Sequence, residues 1–127
     1  MVARSQVMRW VAGYEVAWRT QGTAPLRDLF SDGASYQQAP YIAPIVGLAD
    51  IAAMWEKERE GPDEVFTMTS DIVAVEADTA VVRAHVEYGN PISQKYLDLW
   101  VIRFDAEGKC VAFEEWPFWP EQGRSPG

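Results

Sequence analysis

An α+β domain, helices first and a long antiparallel sheet after them, is the fold class that three features of the sequence predict. Apolar residues recur at spacings of three and four through much of the first 60 positions, the period of amphipathic helices. From Val65 onward they fall in alternating stretches rich in β-branched and aromatic residues, as strands require. Short polar segments, "EADT", "GNPIS" and "DAEG", separate those stretches where antiparallel neighbours would reverse. Helices followed by a run of strands is the α+β order.

Taken in order, Val7, Trp10, Val11, Tyr14 and Trp18 share one face of a helix over about residues 4–20, with Gln6, Arg9 and Arg19 opposite. Pro25 is placed to open a second, short helix, "PLRDLF", because a proline at the first helical position gives up no needed hydrogen bond. "SDG" reads as a turn, "ASYQQAP" as a strand, and "PYIAPIVG" as a proline-rich loop. Gly47 leads into a third helix, "LADIAAMWEKERE", whose inner stripe is Leu48, Ile51, Ala52 and Trp55 and which Gly61-Pro62 stops. Four long strands follow: "VFTMTSDIVAVE", "AVVRAHVEY", "QKYLDLWVIRF" and "KCVAFEEWPFW". No repeat or low-complexity segment interrupts them. Residues 1–120 read as one domain and 121–127 as a flexible tail.

The 127 residues have room for one domain and a core that needs no metal or disulfide. Charged residues are only 24% of the chain and hydrophobic ones 48%, which is a globular balance rather than a disordered one. A net charge of −8, with its 11 Lys and Arg scattered, argues against nucleic acid as a partner. Cys110 is the only cysteine, so neither an internal disulfide nor a thiolate metal site is expected, and a reducing compartment fits. The N-terminal stretch has no apolar run suited to a signal sequence or a membrane span. The expectation is therefore a cytoplasmic protein that binds neither membrane nor nucleic acid. Six Trp, five Tyr and five Phe exceed what a minimal core needs, and such a surplus lines pockets and subunit contacts.

Three segments carry a family resemblance: "YEVAWRTQGTAPLRDLFSDGASY", "GLADIAAMW" and "WVIRFDAEGKCVAFEEW". In that order and at those distances they resemble the helix, Gly-containing turn, "LF" helix end and "DDA" strand entry, the segment before the sheet, and the final "RF…GK" hairpin of the SnoaL-like, or nuclear transport factor 2-like, superfamily. The resemblance covers nearly the whole chain. It implies a cone-shaped α+β barrel, in which three N-terminal helices pack in a curved antiparallel sheet around an interior pocket, and pairing of subunits through their sheets. Its members include ketosteroid isomerases, polyketide cyclases, epoxide hydrolases and dehydratases, as well as catalytically silent modules, so function has to be argued from the site.

Against the ketosteroid isomerase pattern, the resemblance puts Tyr14 at the oxyanion-binding tyrosine, but Gln38 at the position of the aspartate base and Trp100 at that of the second oxyanion acid. A glutamine amide cannot take a proton from carbon and an indole N–H is no acid near neutral pH, so that mechanism is disfavoured. Dehydratases of the family use paired histidines, and His85 is alone here. The aspartate, arginine, aspartate set of the epoxide hydrolases has no counterpart that can be placed.

"FEEWPFWP", residues 113–120, holds two adjacent carboxylates in the most aromatic stretch of the chain. Strand neighbours point to opposite faces, so Phe113, Glu115 and Pro117 share one side and Ala112, Glu114, Trp116 and Phe118 the other. The family register, with Ala84, Val86, Trp100 and Ile102 facing inward, implies that Glu115 is inside and Glu114 outside. Polyketide cyclases of the family keep an acidic acid/base residue on a late strand, and Glu115 is its nearest counterpart. Asp98 shares the Trp100 face and would be a second interior carboxylate. Enclosure raises a carboxyl pKa, and two carboxylates in one cavity push their titrations apart. A structural role stands as the alternative, with Asp98 or Glu115 paired to Arg83, Arg103 or a tyrosine hydroxyl.

The predicted catalytic set is thus Glu115, Asp98 and Tyr14, and the predicted ligand contacts are Tyr36, Gln38, Trp55, Tyr88, Trp100 and Phe113. No metal site and no cofactor are expected. His85 alternates onto the outer sheet face with Trp116 and Phe118, which suggests a homodimer through that face. The functional expectation is a pocket protein for a small apolar or aromatic ligand, working by cofactor-independent acid/base chemistry as a cyclase, isomerase or lyase on an apolar cyclic substrate. A non-catalytic ligand-binding or protein-interaction module with the same fold is the alternative.

Overall fold

A computed structural model describes residues 1–59 and 64–123. Helices α1 (Arg4–Arg19), α2 (Leu26–Leu29) and α3 (Leu48–Glu58) precede and interleave with strands β1 (Phe30–Gln37) and β2 (Ile45–Val46). Strands β3 (Phe66–Glu76), β4 (Thr79–Tyr88), β5 (Gln94–Phe104) and β6 (Cys110–Phe118) follow. The six strands form one curled sheet that does not close, in the order β2-β1-β6-β5-β4-β3. Every neighbouring pair is antiparallel except β1 with β6, which run parallel and make the sheet mixed.

Two local features depart from the sequence reading. "SDG" does not end a turn before β1 but lies within the strand. Phe30 pairs with Cys110 and Ser35 with Ala112, so five positions on β1 pass two on β6 and the surplus bulges out. The proline-rich loop contains the two-residue strand β2, whose Ile45 and Val46 pair with Tyr36 and Ser35 at the edge of β1. Gly47 then turns the chain into α3 at φ 97, a left-handed conformation that side chains disfavour. The expected stop at Gly61-Pro62 and residues 124–127 of the expected tail lie outside the described residues, while Pro120–Gly123 form a 3-10 turn.

The helices lie in the hollow of the sheet because each presents one apolar face to it. Val7, Trp10, Val11, Tyr14 and Ala17 are the buried side of α1, and Ile51 and Trp55 that of α3. They meet Ala80, Val82 and Ala84 of β4, Trp100, Ile102 and Phe104 of β5, and Phe113 of β6 in one core. Its middle is aromatic: the Tyr14 ring lies 5.8 Å from Phe113, 4.6 Å from Trp100 and 5.1 Å from Trp55. Each of these large side chains contributes about 1.5–3 kcal/mol on burial. Arg59 ties the far ends of α1 and α3 together, donating to the carbonyls of Ala17, Thr20 and Gly22 while pairing with Glu56.

Candidate active site

Strand alternation builds the site. On β5, Tyr96, Asp98 and Trp100 face inward. On β6, Glu115 is the partner of Trp100 and Pro117 the partner of Asp98, so the two carboxylates are diagonal neighbours on one face. Both open onto a cavity of about 790 Å³, which is also lined by Trp18, Glu58, Glu64, Tyr88, Tyr96 and Trp119. A narrow extension of about 60 Å³ runs inward past Asp98 and Glu115 to Tyr14, Tyr36 and Trp100. The larger volume lies within the range of small-molecule sites.

A chain of hydroxyls supports Glu115. Tyr36 donates to its Oε2 at 2.7 Å, and the Tyr14 hydroxyl lies 3.1 Å from that of Tyr36. With Glu115 ionised, the Tyr36 proton is committed to the carboxylate, so Tyr14 must be the donor to Tyr36. Burial pushes the Glu115 carboxyl up to about 7, aided by the negative charge of Asp98, while the Tyr36 hydrogen bond pulls it down and Glu58 adds a smaller upward push. Glu115 is partly buried on the cavity wall, and the hydration lost there outweighs the Tyr36 hydrogen bond. Both tyrosine hydroxyls are held well above their ordinary range, first by burial and then by the Glu115 charge, and so remain proton donors.

Asp98 is the most enclosed charge on the cavity, 6% exposed. Burial lifts its carboxyl to about 6, and the nearby Trp100 indole pulls slightly the other way. That indole favours the ionised form from close by but completes no hydrogen bond, and among the described residues Asp98 Oδ1 and Trp100 Nε1 are both left without a partner. An unsatisfied buried carboxylate oxygen carries a cost of about 1–3 kcal/mol or more. Around these groups, both carboxylate oxygens of Glu58 accept from the Gln38 amide nitrogen, at 3.1 and 3.0 Å, and Glu64 accepts from the Trp18 indole at 2.9 Å.

Residues 9–113 match the family model described as a SnoaL-like domain. The chain belongs to the SnoaL-like family. No match is found among curated proteins. Among solved structures, this SnoaL-like chain is similar to a provisionally assigned isomerase of the SnoaL-like family from Agrobacterium tumefaciens str. C58 (15% identity, 90% of this chain and 98% of that one, TM-score 0.72). It is similar also to a provisionally assigned SnoaL-like polyketide cyclase from Jannaschia sp. CCS1 (14% identity, 92% and 90%, TM-score 0.71). A third is a ketosteroid isomerase-like protein from Erwinia carotovora atroseptica SCRI1043 (19% identity, 91% and 96%, TM-score 0.64). At these identities the likeness is one of fold.

Within the SnoaL-like cone, the residues singled out from the sequence divide by depth. Glu115, Asp98 and Tyr88 line both the open cavity and its extension. Tyr14, Tyr36 and Trp100 reach only the extension, where Tyr14 acts behind Tyr36. Trp55 and Phe113 line neither; they are 0% and 1% exposed and fill the core with their rings. Gln38 also stands off the cavity, with its amide engaged by Glu58. Of the pairing alternatives, a tyrosine hydroxyl does meet Glu115, whereas Arg83 pairs with Asp71 on the outer face. His85 is exposed on that outer face. Sequence reasoning missed Glu58, Glu64, Trp18, Tyr96 and Trp119 at the mouth. Tyr96 was within reach, because it alternates with Asp98 and Trp100 on one strand.

Proposed function

We propose that this SnoaL-like protein is a cofactor-independent acid/base catalyst acting on a cyclic, largely apolar substrate in the open cavity, with Glu115 as the proton-transferring group. The observation that carries the reading is the placement of Glu115 and Asp98 as diagonal neighbours facing one aromatic-walled cavity, with carboxyls lifted to about 7 and about 6. A base of that strength holds both protonation states near neutral pH, where general acid/base catalysis is most effective. The Tyr14–Tyr36 chain fixes the orientation of the carboxylate. Tyr88, kept protonated mainly by burial, lines the cavity where its hydroxyl can donate to a substrate oxygen on which charge builds.

Proton abstraction next to a ring carbonyl is the reaction class that these groups support. Glu115 takes the proton from carbon, the C–H electrons move into an enolate, and Tyr88 stabilises its oxygen. The test is deuterium exchange at the activated carbon of 2-tetralone in D2O, followed by proton NMR. The protein should accelerate exchange, and Glu115→Gln should lower that acceleration by about 10²–10⁴. A protein that exchanges no faster than Glu115→Gln would refute the assignment.

The same reading includes a homodimer through the outer sheet face. Leu97 and Phe118 are cross-strand partners there, as are Leu99 and Trp116, and Leu97 and Phe118 are 39% and 47% exposed. Such an apolar stripe favours a subunit contact.

A further inference from the structure

Two carboxylates face the cavity from neighbouring strands, and they differ in what they can reach. Glu115 lines both the open cavity and its inward extension, where a ligand can meet it. Asp98 borders the same two spaces but is only 6% exposed, and its Oδ1 is closed off from solvent beside the Trp100 indole, out of reach of anything in the cavity. A carboxylate so enclosed is badly placed to hold a ligand or to hand it a proton. It is well placed to act on a neighbour.

Glu115 is that neighbour. Pro117 is the cross-strand partner of Asp98 and Trp100 that of Glu115, which puts the two carboxylates on one sheet face at the diagonal spacing of about 7–8 Å. Two negative charges at such a distance, in protein surroundings, raise the proton affinity of whichever ionises second by about tenfold. Asp98 ionises first: burial lifts its carboxyl to about 6, whereas burial and the Asp98 charge together lift Glu115 to about 7. The charge of Asp98 is thus already in place when Glu115 titrates, with little water around it to screen the effect.

The other ionisable groups that face the pair come from every surrounding element: Tyr14 of α1, Tyr36 of β1, Glu58 of α3, Glu64 ahead of β3, Tyr88 of β4 and Tyr96 of β5. Tyr14, Tyr36 and Tyr88 are pushed above their ordinary range and carry no charge near neutral pH. Glu58 pushes Glu115 in the same direction as Asp98 does but less strongly, and Glu64 accepts from the Trp18 indole. Asp98 is the principal charge acting on Glu115.

We propose that Asp98 is a positioning residue of this site, a buried charge closed off from the ligand that strengthens Glu115 as a base. This rests on the reading of Glu115 as the proton-transferring group and deepens it. One carboxylate moves the proton, and the other sets how tightly that proton is held.

The experiment follows the side-chain carboxyl carbons of labelled Asp and Glu by NMR from pH 4 to 9 in the ligand-free protein, with Asp98→Asn and Glu115→Gln assigning the two resonances. In the wild type, Asp98 should titrate before Glu115. Asp98→Asn should lower the Glu115 midpoint by about one pH unit, a roughly tenfold weaker hold on the proton, and Glu58→Gln should lower it by less. In the 2-tetralone exchange assay, Asp98→Asn should move the rise of rate with pH to lower pH by the same interval and leave KM within about twofold. A Glu115 midpoint that stayed put or rose in Asp98→Asn would overturn the proposal. So would an Asp98 that titrates after Glu115 in the wild type, a result that needs no variant and decides the matter if Asp98→Asn does not fold. A changed KM with an unmoved midpoint would make Asp98 a ligand contact and overturn it as well. A lowered midpoint in a protein that accelerates no exchange would uphold the action of Asp98 on Glu115 while removing the proton-transfer role of Glu115.

Discussion

Replacing Glu115 by glutamine should flatten the dependence of stability on pH. The folded protein holds this carboxyl at about 7 against an ordinary 4.5, mainly through burial. A raised pKa means that the folded state binds the proton more tightly than the unfolded chain does. The associated stability is fully present below about pH 4.5 and is lost as pH climbs to about 7. Taken at face value, the loss is roughly 3 kcal/mol, at about 1.4 kcal/mol for each tenfold change in proton affinity. Glu115 is partly accessible and part of its shift comes from Asp98, so about 2 kcal/mol is the working figure for Glu115 alone. For a domain of this size that is about 6 °C in melting temperature. Melts followed by circular dichroism from pH 5 to 8 should show the wild type falling more steeply than Glu115→Gln by that amount. Glu114→Gln, changed on the opposite face of the same strand, should follow the wild-type curve. The general repulsion of a chain with net charge −8 lowers all three curves together. Parallel curves for the wild type and Glu115→Gln would show that the carboxylate is not desolvated and would refute the reasoning.

Tyr36→Phe removes the hydroxyl that lowers the Glu115 pKa, so the side-chain carbon resonance of Glu115 should titrate at higher pH than in the wild type; an unchanged or lower midpoint would contradict the hydrogen-bonded chain. Arg59→Ala strips donors from three carbonyls and removes a guanidinium whose side chain is only 5% exposed, at a cost of about 3 kcal/mol in denaturant unfolding, and Arg59→Lys should recover little of it because one ammonium cannot span the same acceptors. Trp116→Glu places a charge in the apolar stripe of the outer face, and light scattering should show the dimer dissociating at micromolar concentration while the near-ultraviolet spectrum of the core aromatics is preserved. A wild-type protein already monomeric at 14.3 kDa would remove the dimer from consideration.

What the sequence revealed about the site follows from how local each signal is. Alternation has a period of two, so once Trp100 is taken as inward, Asp98 and Tyr96 follow on the same strand, and Glu115 is separated from Glu114 by a single step. The lengths of β3 to β6 are legible for the same reason. Depth is another matter: periodicity puts Trp55 and Phe113 on the inner side, but whether an inner ring touches a ligand or a neighbouring ring depends on how completely the core fills. Glu58 stands seven positions after Ile51, so the helical period does put it on the inner stripe of α3, whereas Glu64 sits just before β3, where no period constrains it; that either reaches a cavity depends on the folding back of the chain. The bulge in β1 and the brief β2 are likewise products of pairing partners remote in sequence. Recognising the parallel β1–β6 pair needs the same long-range information, because a parallel neighbour leaves no turn between the strands to announce it.

That parallel pair also governs the order of assembly. The strands that flank β1 in the finished sheet are β2, which offers two residues, and β6, whose partners for Ser35 to Gln37 are Ala112 to Glu114. At the usual pace of translation the ribosome takes about 4–15 s to travel from one segment to the other. Through that interval α1 and β1 exist as nascent chain with their aromatic faces uncovered, since Tyr14 and Tyr36 both bury themselves against Phe113. Contacts so distant along the polypeptide make for slow folding, because the entropy of closing the loop is spent before any packing is gained. The N-terminal third is thus the part of this protein most exposed to chaperones, proteases and misassociation during synthesis, and the arrival of β6 ends that exposure.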